Sequence, residues 1–186
     1  YVTKNDKIIS ENTNTTVLKR YKFSEEEKER LEKITADMNP DQMFELARQK
    51  AFNNQRDSAR LICNYILKTS PNYIDVRILK GRTLAWDKQY AIAEEELKNA
   101  LKRSPYYYDS YLALLDVYWW SSQNEKAIDI FNKAKARDIN NDEIAFKLSR
   151  AYKTMNKNNE ALKIMDSILK KNPNNSQYIN FKNSLK

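Results

Sequence analysis

The chain has 186 residues and a formal net charge of +8 at pH 7, with one glycine, four prolines, one cysteine and no histidine. Glycine normally makes up about 7% of residues, so this composition argues against sheet architectures, whose turns depend on glycine and proline. Helices joined by short polar turns are the natural alternative, and a hydrophobic content of 41% is enough to build a core between them.

The N-terminal part of the sequence divides into two segments. Residues 1–23 are polar and rich in asparagine and threonine, which predicts a tail or linker. Residues 24–39, beginning "SEEEKERLEKITADM", are predicted to form a helix that covers the apolar end of the segment that follows.

Residues 40–175 repeat with a period of 34. Pro71, Pro105 and Pro173 are separated by 34 and 68 residues, and Ile139 occupies the missing step. Three more columns keep the same register: Ala59, Ala93, Ala127 and Ala161; Cys63, Leu97, Phe131 and Met165; Ile66, Ala100, Ala134 and Ile168. The register predicts four units, at residues 40–73, 74–107, 108–141 and 142–175. A helix at 176–186 is predicted to begin a fifth unit.

This pattern resembles the tetratricopeptide repeat (TPR), in which each unit is a helix–turn–helix of 34 residues. The third unit carries the family's residues most completely, at Tyr111, Leu114, Tyr118, Ala127, Phe131 and Ala134. The resemblance implies an all-α fold, a right-handed superhelix of about four units with a capping helix at each end. Cys63 falls in a core column, so we expect a buried structural cysteine.

Three charged or small residues depart from a simple apolar core. Gly81 is predicted to lie where the two helices of the second unit cross, opposite Ala93, so that their backbones can approach. Arg77 and Lys80 occupy positions that are usually apolar, and we expect their aliphatic stems to line the interface while the charges reach water.

The resemblance also implies a concave groove lined by the first helix of each unit. The groove positions carry aromatic, aliphatic and charged residues at matching heights: Phe44, Arg48, Phe52, Ile78, Arg82, Trp86, Leu112, Asp116, Trp119, Trp120, Phe146 and Arg150. In one interpretation these side chains bind an extended peptide or glycan. In the other, the tryptophans pack between units, Arg48 pairs with Asp75, and Arg82 pairs with Asp109 or Asp116.

A narrower resemblance rests on Gly81-Arg82, Leu84-Ala85-Trp86 and Trp120. These residues are similar to the repeat segment that precedes the β-barrel in YaiO-family outer-membrane proteins, and to repeats in bacterial polysaccharide-export proteins. The resemblance implies a periplasmic or outer-membrane-associated segment that reaches the membrane only through another domain; a cytoplasmic location is the alternative.

The distribution of charge and the residue types present limit the classes of function that this sequence can have. Basic residues are mixed with acids on the second helices, Glu94 and Glu95 among them, which favours solvated helix faces over a nucleic-acid site. Without histidine, with one cysteine in a core column and without a phosphate-binding loop, we expect no catalytic site, metal or cofactor. The leading hypothesis is a non-catalytic module that binds a protein, a peptide or a polysaccharide. The alternative is a structural spacer or assembly scaffold without a groove ligand.

Overall fold

A computed structural model describes residues 24–139 and 141–186, apart from the side chain of Glu27, and all regular secondary structure in these ranges is helical. The predicted tail, residues 1–23, lies outside the described residues. Within the described ranges, no helix combines the length and the apolar character needed to cross a lipid bilayer.

The helices follow the period read from the sequence. The first helices of the four units begin at residues 40, 74, 108 and 142, which places them 34 residues apart. In chain order the helices are α1 (Glu25–Thr35), α2 (Pro40–Phe52), α3 (Arg56–Thr69), α4 (Ile74–Trp86), α5 (Tyr90–Arg103), α6 (Tyr108–Trp120), α7 (Asn124–Lys135), α8 (Asp142–Thr154), α9 (Asn158–Lys171) and α10 (Ser176–Asn183).

The turn inside each unit explains how the chain manages with one glycine. Each first helix ends in a left-handed residue at the same repeat position: Asn54, Lys88, Ser122 and Asn156, with φ of 61°, 61°, 57° and 57°. The next amide bonds back to the last helical turn, as from Gln89 N to Leu84 O at 2.9 Å, so these ends form Schellman motifs. Glycine is the usual residue at this position, and here asparagine, lysine and serine adopt it instead.

The helices form two layers. Each first helix contacts the first helix of the next unit, while each second helix packs against its own first helix and that of the following unit. The alanine column of Ala59, Ala93, Ala127 and Ala161 is at most 1% exposed, because small side chains let paired helices approach closely. This is the all-α superhelix that the sequence predicted, and Cys63 is fully buried within it, as expected.

Gly81 makes room for a side chain. A Cβ atom at this position would lie 2.6 Å from Leu97 Cγ, well inside contact distance. The side chain nearest to Gly81 is therefore Leu97, one helical turn after Ala93, the residue that the sequence predicted opposite it. The second helix fills the space with the fully buried Leu97 side chain, and glycine accommodates it.

Two expectations about charged residues are wrong. Arg77 Nη1 and Lys80 Nζ both donate to Glu96 at 2.8 Å, and all three side chains are at most 23% exposed, so the charges pair at the helix interface instead of reaching water. Glu94 is 8% exposed and accepts from Lys98, Lys126 and Tyr118. Burial opposes its ionisation, but the lysine contacts outweigh that effect and lower the pKa of Glu94.

Candidate binding groove

The first helices of units one to three line an open cavity of about 330 Å³ on the concave side of the array. Helix α2 provides Phe44, Arg48 and Phe52; helix α4 provides Asp75, Ile78, Leu79, Arg82 and Trp86; helix α6 provides Asp109. A cavity of this size holds one large side chain and part of its backbone.

Aromatic rings form one wall of the cavity. Phe52 is 69% exposed, and its ring centroid lies 5.8 Å from that of Trp86. Trp86 also lies beneath the Arg56 guanidinium of the preceding unit, 5.9 Å from its centroid. Trp86 therefore packs between units with part of its surface and lines the cavity with the rest, and a binding role for it stays a prediction.

Arg82 lines the cavity, and its guanidinium has no hydrogen-bond partner in the described part of the chain. Its Nε is buried, and neither this atom nor the rest of the guanidinium forms a hydrogen bond or ion pair with any described residue. The expected pairing of Arg82 with Asp109 or Asp116 is therefore not found. A buried donor without a partner costs about 1–3 kcal/mol, which an incoming acceptor recovers.

Asp109 is the acidic counterpart of Arg82 in the cavity. In the two preceding units the equivalent aspartates accept a tyrosine hydroxyl, from Tyr73 to Asp41 at 2.6 Å and from Tyr107 to Asp75 at 2.5 Å. These hydrogen bonds are the main reason why the pKa of each tyrosine is raised to about 12.

The corresponding hydrogen bond to Asp109 is missing within residues 24–139 and 141–186. Residue 141 is asparagine where tyrosine stands at 73 and 107, and its Oδ1 accepts from Ile144 N at 3.0 Å to cap α8. Asp109 consequently accepts no hydrogen bond from any described residue. The cavity therefore presents an unpaired donor from α4 and an unpaired acceptor from α6.

The remaining cavity cation has a partner on its own helix. Arg48 pairs with Glu45 at 2.9 Å, so the expected pairing with Asp75 is not found, and both side chains of the pair are about half exposed. An exposed pair of this kind contributes little to stability, about 0.2–1 kcal/mol, and can rearrange around a ligand.

In units three and four, the predicted groove residues contact one another or the core. Asp116 pairs with Lys147 at 2.5 Å, and the Arg150 guanidinium carbon stacks 3.4 Å from the Trp119 ring centroid. Burial lowers the pKa of Arg150, with Asp116 opposing the shift. The other predicted residues here are Leu112 and Phe146, 5% and 7% exposed, and Trp120, 36% exposed at the end of α6.

For the first half of the groove, the sequence predicted which residues line the cavity but not which residues they pair with. Phe44, Arg48, Phe52, Ile78, Arg82 and Trp86 all line the cavity, and their binding role stays a prediction. Asp75 and Asp109 were expected only as pairing partners of arginines, and they prove to be part of the lining. The signal for them was present, since Asp41, Asp75, Asp109 and Glu143 form an acidic column at the period of 34.

Comparisons with known proteins agree with this architecture. The tetratricopeptide repeat family matches residues 123–185. A thermophilic TPR protein from Thermus thermophilus is 22% identical over 84% of this chain and 86% of its own, with a TM-score of 0.68. Residues 41 to the end of MamA from Desulfovibrio magneticus RS-1 are 20% identical over 81% of this chain and 88% of that one, with a TM-score of 0.64. No curated protein matches the sequence significantly.

At these identities the structural likeness establishes the fold, a TPR-type helical solenoid, and the family match supports the tetratricopeptide repeat family for this chain.

Proposed function

We propose that this chain is a non-catalytic protein-interaction module that binds an extended peptide in the groove of its first helices, seated in the cavity between α2, α4 and α6. The observation that carries the proposal is the guanidinium of Arg82, with its buried Nε and no partner among the described residues, in a cavity beside the exposed ring of Phe52. Natural interiors pair nearly all such groups, so a guanidinium that lines a cavity without a partner is most simply satisfied by a ligand.

The lining indicates how a peptide would lie. Arg82 would donate to a backbone carbonyl or a carboxylate, and Asp109 would accept from a backbone amide or a basic side chain. An apolar side chain would enter between Phe52 and Trp86. Neighbouring helices lie about 8–10 Å apart, so an extended chain crossing three of them would need about five or six residues at about 3.3 Å each.

Peptide selection followed by calorimetry tests the proposal. Peptides selected from a random library on the immobilised chain would be titrated against the wild type and against Arg82→Gln and Trp86→Ala. We expect each variant to bind at least about tenfold more weakly, because each loses a desolvated contact. The matched control is Arg150→Gln, which changes the equivalent position of unit four and should leave the affinity within about twofold.

The same variants give the outcome that contradicts the proposal. Unchanged affinity in Arg82→Gln and Trp86→Ala, with unchanged helical circular dichroism, would remove this cavity from consideration. Trp120→Ala measures how far the ligand extends, since a further loss of affinity would place the peptide over the end of α6.

The alternative function is a spacer or assembly scaffold, and the internally paired groove of units three and four favours it. A scaffold would make contacts through its outer helices or its ends and would select no groove-dependent peptide. Light scattering on the purified chain over a range of concentrations separates the two functions, because assembly changes the mass while peptide binding barely does.

A location in the periplasm or at the outer membrane, and a polysaccharide in place of the peptide, are further proposals. They rest on the YaiO-like residues Gly81-Arg82, Leu84-Ala85-Trp86 and Trp120. Fractionation of cells that express the full-length protein tests the location, and recovery in the cytoplasmic fraction would exclude it. Titration with cell-surface polysaccharide against wild type and Trp86→Ala tests the ligand.

A further inference from the structure

Clefts open on the outside of the array between consecutive second helices. The first helices contact one another along the inner layer, while the second helices lie further apart, as the curvature of a superhelix requires. The cleft between α5 and α7, called here the α5/α7 cleft, has a volume of about 350 Å³. Its lining includes Lys98, Leu101, Lys102, Ile130, Lys133 and Arg137.

The α5/α7 cleft differs from its two equivalents in charge. At the equivalent place between α3 and α5, Glu96 stands at the position of Ile130, and Arg77 of α4 stands at the position of Tyr111. The two pair at 2.8 Å, so a carboxylate is present there. Between α7 and α9, Asp142 accepts from Lys171 at 3.4 Å and from Asn172 at 2.7 Å. The described residues that line the α5/α7 cleft include four cations and no carboxylate.

Two of these cations have no acidic partner. Lys98 pairs with Glu94 and Lys133 with Asp129, both at the outer edge of the cleft. Arg137 donates to the backbone carbonyl of Lys133 at 3.1 Å and forms no ion pair with a described residue, and neither does Lys102. Lys102 and Arg137 are therefore positioned on facing sides of one cleft with their charges unneutralised.

We propose that the α5/α7 cleft docks an acidic segment of a partner protein in which carboxylates flank an apolar side chain. The carboxylates pair with Lys102 and Arg137, and the apolar side chain contacts Leu101 and Ile130 on the floor of the cleft. This surface is independent of the concave groove, so the chain can hold two partners at once.

The surroundings of the cleft favour a protein over a nucleic acid or a membrane. Glu94 and Asp129 neutralise Lys98 and Lys133 at its outer edge, so acids interrupt the positive charge that a polyanion or an anionic bilayer would need as a continuous surface. The apolar floor suits a side chain such as leucine better than a phosphate.

The repeat supplies a matched pair of variants for the test. Lys102→Gln with Arg137→Gln removes the unpaired cations of the α5/α7 cleft. Lys68→Gln with Arg103→Gln removes the same charge at the same repeat positions one unit earlier, where Arg77 and Glu96 pair. Both double variants reduce the net charge equally, so a difference between them reports the cleft and not the net charge.

The probe is a short fluorescein-labelled peptide of glutamate and leucine, titrated into the full chain at low and at physiological salt and followed by fluorescence anisotropy. We expect the Lys102/Arg137 variant to bind about five- to tenfold more weakly than wild type, and the Lys68/Arg103 variant to stay within about twofold. A peptide with serine in place of leucine should also bind more weakly, because it leaves the floor uncovered.

Several results would overturn the proposal. Equal losses in the two double variants would mean that only net charge matters, and absence of peptide binding would mean that the cleft does not dock such a segment. Single-stranded DNA or vesicles containing phosphatidylglycerol that bind more tightly than the peptide, with the same dependence on Lys102 and Arg137, would overturn the class of partner. Arg82→Gln should leave this binding unchanged, which separates this result from that for the concave groove.

Discussion

Units one and two use their groove positions differently from units three and four. In the first pair, Phe52 and Trp86 face an open cavity and Arg82 has no partner. In the second pair, Arg150 stacks on Trp119, and Asp116 pairs with Lys147. The comparison teaches that the repeat register determines where a side chain lies, while its neighbours one unit away determine whether it is available to a ligand.

The difference has a source that can be named residue by residue. Arg150 stacks on Trp119 of the preceding unit, and the residue in the same position relative to Arg82 is Ala51. Asp116, which stands at the repeat position of Arg82, pairs with Lys147 of the following unit. The residue in the same position relative to Arg82 is Ala113. Both alanines are buried and carry no polar group, so Arg82 finds neither a ring nor a charge where its counterparts do.

The largest expected effect compares two phenylalanines at the same repeat position. Phe146 is 7% exposed and contacts Tyr178 and Phe181, with ring centroids 4.9 Å and 5.2 Å away, so Phe146→Ala should cost about 3–5 kcal/mol of unfolding free energy. Phe44 borders the cavity, so Phe44→Ala should cost only about 1 kcal/mol. Urea denaturation of the two variants measures both values, and equal losses would contradict the contrast between the two halves.

A smaller effect is expected at Gly81, within unit two. Gly81→Ala places a Cβ atom against Leu97, and overpacking of about 1–3 kcal/mol should exceed the roughly 1 kcal/mol that alanine gains in helix propensity. The reverse change at the equivalent position of unit one, Ala47→Gly, should cost about 1 kcal/mol from propensity alone. Thermal unfolding measures both, and a Gly81→Ala variant more stable than wild type would show that Leu97 moves aside freely.

A third test compares the two arginines. Arg150→Ala removes a desolvated cation–π contact, so we expect it to destabilise the chain by about 1 kcal/mol and to change the fluorescence of Trp119. Arg82→Ala removes a buried donor without a partner, so its unfolding free energy should be at least that of wild type and higher by up to about 1–3 kcal/mol. A large loss in Arg82→Ala would mean that the residue already has a stabilising role in the free protein.

The smallest expected effect is a dependence on alkaline pH in the first half of the array. Tyr73 and Tyr107 have ordinary pKa values near 10.0, raised to about 12 in the fold, chiefly by the hydrogen bonds to Asp41 and Asp75. A raised pKa means that the neutral tyrosine is stabilised by folding. That stability is complete below pH 10 and is lost as the pH rises towards 12.

Denaturation at pH 9 and pH 11.5 in the wild type and in Tyr73→Phe/Tyr107→Phe measures this effect. Phenylalanine keeps the ring but cannot donate or ionise, so the double variant should lose less stability between the two pH values than wild type does. An identical loss would assign the alkaline effect to other tyrosines.

Much of the fold followed from local patterns. The four proline, alanine and core columns predicted the helical solenoid, and the lone glycine was correctly assigned to a helix crossing. The close contact of Gly81 with Leu97 was not predicted, because periodicity places a residue on a face but does not tell which side chain of the facing helix fills the space. The burial of Glu94 and Glu96 could not be predicted from the pattern for a similar reason, since each carboxylate pairs with cations from another helix or unit.

The sequence by itself determined the architecture of this protein, because a 34-residue period of small and apolar residues can bury its core only by stacking one helical pair on the next. It also identified residues of the cavity lining, such as Phe52, Arg82 and Trp86. Only the tertiary structure decided which of them are free, because pairing depends on contacts between residues about thirty positions apart, such as Asp116 with Lys147 and Tyr107 with Asp75. Arg82, Lys102 and Arg137 illustrate the same point, since none of them has an acidic partner among the described residues.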